Sequence, residues 1–342
     1  MSLRFKQKGL TLVELMISVA LSLLLLAGVM VLFSGNKTSH RMQEGMSTLQ
    51  DSGRYAVTAI KRDINAAGFG GCISSSQDPI LIAASPLPYV REYRDGQLVA
   101  GENDVSGRTI EGEPVTDGTD VLQIRGPLGS AVFYVKQRVS AIPPIVVQGD
   151  ASAFATGDYL VVSDCVHTEI FKASSVSVTT GPPASTTIAH ASSHNDRGGI
   201  FQTKMGSDSV VMRLSTHTYF IAPSSWTNAS GATVLSLYRA TGDGSPDELL
   251  QGVEDMQVTY GIDSNGDGGV DSFRDAASVT DWTQVASVNV SLLVNSVDNA
   301  SDTLASYRYS PVGSAAITPS NTADRLMRQE FTAVLTARNN LM

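Results

Sequence analysis

The chain has 342 residues and a formal charge of −9, with 24 Lys and Arg against 33 Asp and Glu. Without a basic stripe to release counterions from a phosphate backbone, nucleic-acid binding by electrostatics is excluded. An apolar content of 42%, with no charge block and no strict repeat, excludes a disordered chain and leaves enough sequence beyond one apolar span for a real core.

The first predicted element is Leu10–Phe33, apolar or small apart from Glu14 and long enough to cross a bilayer at about 1.5 Å per residue. Glu14 is the anomaly, since a carboxylate inside such a span costs roughly 2.5–3.5 kcal/mol on insertion scales. Arg4, Lys6 and Lys8 precede the span and Gly9 stands directly before it. A secretory signal would show a small-residue cleavage site after the run, but here the run continues into Val29–Phe33. A plain anchor explains the length and the basic flank but not Glu14. Cleavage in front of the run, at Gly9–Leu10, is the third reading.

Lys8-Gly9 followed by Leu10-Thr11-Leu12-Val13-Glu14 resembles the class III signal of type IV prepilins and pseudopilins. The resemblance implies that a prepilin peptidase cuts after Gly9 and methylates Leu10, leaving Glu14 as the fifth residue of the mature chain. Leu10 departs from the commoner phenylalanine at that position. In that family the glutamate is thought to meet the N-terminal amine of a neighbouring subunit. A buried carboxylate is tolerable when it meets such a charge.

A helical pattern continues through Met42, Met46, Leu49, Ala56, Ile60 and Ile64, with no proline before Pro79. Gly28, Gly35, Gly45 and Gly53 are expected to weaken or bend it, and Gly68 with Phe69-Gly70-Gly71 to stop it. A continuous helix over 10–67 would be about 87 Å long. Beyond it the predicted strands are Asp120–Arg125, Ala131–Lys136, Tyr159–Ser163, Val210–Arg213, Thr218–Ala222, Val234–Arg239, Met256–Ile262, Val285–Asn295 and Phe331–Ala337. Val288–Val294 nearly alternates, which suits a half-buried antiparallel strand. Val176–Ser193, rich in Ser, Thr and Pro, reads as loop. Helix first and strands afterwards predict an α+β fold. Cys72 and Cys165, on the exported side of a single span, fit one disulfide, which would stabilise by roughly 4–5 kcal/mol on the chain-entropy scale, with two buried thiols as the alternative.

Several segments together resemble the PilW family of minor pilins: Ala67–Cys72, Val162–Cys165, Gly252–Gly261, Arg328–Thr332 and Arg338-Asn339. The resemblance implies a type IV pilin-like architecture. A leader (1–9) precedes a transmembrane and filament-core helix (10–33) and its amphipathic extension (34–68), and a periplasmic β-rich head (69–342) follows. It further implies a minor pilin that helps prime type IV pilus assembly near the tip and helps display a tip adhesin. The expected partners are other minor pilins, the major pilin, the prepilin peptidase and the bacterial inner membrane before assembly. A type II secretion pseudopilin shares the leader and Glu14, and a bitopic surface adhesin is the rival from another class.

One loop carries possible metal chemistry. Asp263, Asn265 and Asp267 occupy positions 1, 3 and 5 of a calcium loop, Gly268 the turn, Gly269 a carbonyl position and Asp271 position 9. The bidentate Glu expected at position 12 is replaced by Arg274, with Asp275 one place late, and an acidic hairpin turn is the alternative. Asp243, Asp247 and Glu248 read as a solvated turn, His190 and His194 as loop residues rather than zinc ligands, and Trp226 and Trp282 as core. No nucleophile elbow or phosphate loop is present, so an enzyme is not expected.

Overall fold

The computed structural model describes residues 11–70, 79–129, 131–136, 139, 142–164, 166–242, 244–304, 309, 324–337 and 339. Helix α1 (Leu12–Ala66) runs unbroken for 55 residues, about 83 Å at 1.5 Å per residue. Thr11 starts it as N-cap, and Gly68, at φ +68°, turns the chain away at its end. No residue of its apolar first half packs against the rest of the chain. Burial begins at Leu49 and recurs at Gly53, Ala56, Ile60, Asp63 and Ile64, the three-and-four spacing of one helix face.

The head is built from short strands. In chain order these begin with β1 (Ile80–Leu81), helix α2 (Pro88–Arg94), β2 (Val99–Glu102), β3 (Thr109–Ile110) and β4 (Glu113–Pro114). Then come β5 (Val121–Gly126), β6 (Phe133–Tyr134), β7 (Ile145–Gln148), β8 (Tyr159–Ser163), β9 (Thr168–Lys172) and β10 (Ser175–Thr179). β11 (Ser185–Ala189), β12 (Val210–Arg213), β13 (Ser215–Thr227), β14 (Thr233–Thr241) and β15 (Asp247–Gln251) follow. The last four are β16 (Val253–Ile262), β17 (Ser272–Arg274), β18 (Val285–Asn295) and β19 (Arg328–Thr336).

Three larger sheets have the orders β1-β9-β8-β12-β6, β15-β14-β13-β5-β2 and β17-β16-β18-β19, with β10-β11-β7 and β3-β4 as smaller ones. Pairing is antiparallel except between β1 and β9. Strand alternation feeds separate cores. On β8, Tyr159 and Val161 join the main core under α1, whereas Leu160 and Val162 face a second core with Val147, Phe171 and Ile188. On β13, Tyr219 and Ile221 point to the main core, and Phe220 and Ala222 to a third, smaller one.

The α+β, pilin-like expectation is met: a long N-terminal helix precedes an antiparallel β-rich head. Three expectations are corrected. Much of Val176–Ser193 is strand rather than loop, because β10 and β11 form a hairpin against β7, Val176, Ile188 and the buried Thr186 supplying an inward face and Ser175, Ser177 and Thr179 the outward one. β18 is buried on both faces rather than one, and its polar Ser287, Asn289 and Ser291 are nearly as enclosed as Val288, Val290 and Leu292. Asp247 and Glu248 lie in β15, where Glu248 accepts a hydrogen bond from Ser236 Oγ at 2.7 Å, so they are not a turn, and Asp243 lies outside the described residues.

Candidate functional site: the assembly helix and its clamp

Glu14 sits in the first turn of α1, three residues after Thr11. Its Oε2 accepts from the Thr11 backbone N–H and hydroxyl, both at 3.0 Å, while Thr11 Oγ1 accepts from Glu14 N–H at 3.3 Å. This is a capping box, which satisfies helix-end donors that have no intrahelical acceptor. The sequence reading missed it, although T-x-x-E before an apolar run is its signature. Glu14 therefore has one oxygen committed within its own helix, and Leu12 through Phe33 remains uncovered around it. Gly9 and Leu10 lie outside the described residues.

The second half of α1 is clamped to the head. A Cβ at Gly53 would lie 2.2–2.4 Å from the ring of Phe331 on β19, and one at Gly45 would lie 2.8 Å from Ala300 Cβ. These glycines are close-approach positions, not the expected weak points; only Gly28 and Gly35 have open space around them. One turn before the helix ends, Asp63 is 1% exposed and meets two groups from β13, His217 Nδ1 at 2.5 Å and the Tyr219 hydroxyl at 2.6 Å. Burial alone would raise the Asp63 carboxyl, but these hydrogen bonds and the neighbouring charges outweigh it and hold the group below its ordinary value. Asn339 Nδ2 donates to Ala67 O at 2.5 Å, so the C-terminal segment also closes the helix end.

The motifs of 252–261 and 328–332 converge. Arg328, 3% exposed on its side chain, donates to both Glu254 oxygens at 2.7 and 2.8 Å and to both Asp324 oxygens at 2.8 and 2.6 Å. A fork-shaped guanidinium can serve two carboxylates at once, and removing it would strand both. Gly252, at φ +83° and packed against Asn295 O, turns the chain from β15 into β16.

The acidic loop links β16 to β17 and is exposed apart from the half-buried Asp263. Asp263 accepts from the backbone of Gly266 and Gly268 at 2.7 and 2.8 Å, Asn265 Oδ1 from Asp267 N–H at 2.8 Å, and Asp267 from Gly269 N–H at 2.8 Å. Asp271 accepts from Ser264 N–H and Oγ and from Asn265 Nδ2. Arg274 lies in β17 opposite Tyr260, and Asp275 caps a short 3₁₀ turn through Ser278 N–H, so neither stands at the loop's open position. Among the described residues no three His, Cys, Asp or Glu side chains converge as a metal cluster.

His190 is buried with its ring nitrogens 2.6 Å from Gly199 O and 3.0 Å from Pro143 O. Trp282 packs edge-on against Tyr260, but Trp226 is 66% exposed and is not core. Cys72 and Cys165 lie outside the described residues.

The family described as Prokaryotic N-terminal methylation motif matches residues 4–30, which hold Gly9, Leu10 and Glu14. The family described as Type IV Pilus-assembly protein W, PilW, matches residues 218–339, from β13 to Asn339. The chain is type IV pilin-like, and over residues 218–339 it is similar to the PilW family. The PilW match contains Tyr219, Gly252, Glu254, Arg328, Phe331 and Asn339, the head's side of the clamp apart from His217. No curated protein and no solved structure matches the chain. Its place is thus that of a type IV pilus-related minor pilin, and pilin-family domains are structural.

Proposed function

We propose that this PilW-like chain is made as an inner-membrane prepilin with its head in the periplasm. Prepilin peptidase cuts it between Gly9 and Leu10 and methylates Leu10. It then joins other minor pilins, with the major pilin following, to prime a type IV pilus near the tip. The observation that carries this reading is the contrast between the two halves of α1: Leu12–Phe33 has no cover of its own, while Leu49–Ala66 is locked to the head. An apolar helix of that length needs lipid or other helices around it.

Glu14 then acts in register. With Oε2 held by Thr11, its carboxylate is presented at a fixed height on the helix to the cationic amine that cleavage creates on a neighbour. A subunit that needs such a partner has another subunit beyond it, and a head of this size packs most easily at low copy number. Docking of a tip adhesin is the corresponding outer role. Replacing Glu14 by Ala should reduce piliation and co-isolation with the other minor pilins while the protein still accumulates in the membrane. Unchanged piliation would end this reading.

Two accessory features belong to the same proposal. Asp263, Asn265, Asp267 and Asp271 with the Gly269 carbonyl stand at calcium-loop positions in the sequence and offer only hard oxygens, so the ion this loop would take is Ca²⁺, which would stiffen it. Calorimetry with Ca²⁺ should show saturable heat in the wild type and none in Asp267→Ala; no heat in the wild type would remove the ion. A Cys72–Cys165 disulfide is favoured by Gly70, where an added Cβ would lie 3.6 Å from Thr168 Oγ1, three residues past Cys165. Alkylation of the non-reduced protein should label neither thiol.

A further inference from the structure

A cleft of about 500 Å³ opens between the tip of the β13–β14 hairpin, the turn at Thr116–Thr119 and the edge formed by β16, β18 and the start of β19. Among the described residues its walls carry four carboxylates, Asp117, Glu254, Asp255 and Asp324, against one cation, Arg328. Arg328 spends its donors on Glu254 and Asp324, so that trio is already net negative. Asp255 has no such relief. It is 8% exposed, and its donors are neutral, Gln257 Nε2 at 3.0 Å and the Met256 N–H. No ion pair reaches it among the described residues. Thr116 Oγ1, on the same wall, is buried and without a hydrogen-bond partner among the described residues.

The site thus combines a concave volume, apolar walls at Leu235 and Leu293 and, among the described residues, uncompensated negative charge in a poorly solvated place. A bare metal ion lacks a converged ligand cluster there. A neutral polyol would leave the charge unanswered. We propose that this cleft binds an organic cation, an alkylammonium or guanidinium group on a short apolar stem. The cation's charge answers Asp255, and its N–H groups donate to that carboxylate.

Titration of Asp255 gives the binding a signature. Burial pushes this carboxyl up to about 7, with Asp120 and Asp104 adding to the rise against the hydrogen bond from Gln257. The charged groups acting on it are Asp120 and Asp104, and Asp117, Glu254, Asp324 and Arg328 line the same cleft. The cation binds the ionised form, so affinity increases as pH rises through that value.

The full-length protein in detergent micelles is titrated with n-butylguanidinium, and thermal unfolding is followed, with n-butylurea as the neutral isostere. The wild type should be stabilised saturably by the cation alone, with affinity about tenfold weaker at pH 6 than at pH 8. Asp255→Asn should lose the response, and Asp117→Asn on the exposed rim should weaken it without disturbing the core. Equal stabilisation by n-butylurea, an undiminished response in a folded Asp255→Asn, or no response in the wild type would overturn the proposal. The source of the cation is read from p-benzoylphenylalanine at Ser230 in assembled pili. A cross-link to a neighbouring subunit that Asp255→Asn abolishes assigns a partner's Lys or Arg; n-butylguanidinium binding without it assigns a free amine. Neither arm depends on tip location or priming, so failure of the cleft leaves that reading standing, and the reverse.

Discussion

Asp63 is the residue on which the joint between helix and head turns. It is buried, its two strong partners come from β13, and His217 lies 154 residues away in the chain. Nothing in the sequence marks it, because an acid at helical spacing reads as a solvated face. Glu14 was legible for the opposite reason: its apolar neighbours make a charge conspicuous. Removing one partner of a buried pair strands the other, so Asp63→Asn should destabilise the head by about 3–5 kcal/mol, read by urea unfolding of the full chain in detergent. A loss near zero would show that the pair is only geometry. The head also carries carboxyls shifted in the other direction. Burial, eased by backbone hydrogen bonds from Asp104 and Val258, leaves Asp120 at about 6, and Asp255 stands at about 7. Unfolding releases protons from such groups between the ordinary Asp range and those values. Their contribution is therefore full at low pH and is lost as pH rises through about 6 to 7. Asp63, held low, contributes above its unfolded value and loses that contribution as pH falls. Asp255→Asn should flatten the decline in stability on the neutral side and leave the acid side unchanged, measured as urea midpoints across pH 4 to 8.

At the scale of elements, the legible parts are those whose residues leave little choice. β8, β12 and β18, built around Val and Leu, begin and end at the expected residues, and Gly68 ends α1 as its left-handed φ allows. β10 and β11 were illegible because Ser and Thr make up most of them and Pro182-Pro183 stand between them, and only the hairpin, with β11 paired to β7, turns Val176 and Ile188 inward. The enclosure of the polar face of β18 depends on what lies across it, including Tyr309, whose hydroxyl donates to Ser291 O at 2.7 Å. The glycines of α1 divide in the same way. Gly35 and Gly53 look alike in sequence, but only Gly53 receives a ring. Gly53→Ala should therefore lower stability by about 1–3 kcal/mol through overpacking against Phe331. Gly35→Ala should be neutral or slightly stabilising, since helix propensity favours Ala by about 1 kcal/mol. Equal effects at the two positions would contradict the clamp.

Across the whole molecule, a single helix joins two environments. Its first half has the length and surface of a membrane or filament element, and its second half is part of the head's main core. A push or pull on the helix therefore reaches β18, β19 and β13 directly. The acidic charge of the chain does not bear on that join, but it leaves the cleft beside Arg328 short of cations. The N-terminal signal and the family segments could be read from residues alone because their order is distinctive. The cleft could not, since it is assembled from five separate stretches of chain.

The central claim is that the apolar helix becomes an assembly element when the chain is cut in front of it. Mass spectrometry of the mature N-terminus, on protein taken from native membranes and pili, tests this most directly. The account predicts a chain beginning at N-methylated Leu10. An intact Met1, or a terminus beyond Phe33, would contradict it.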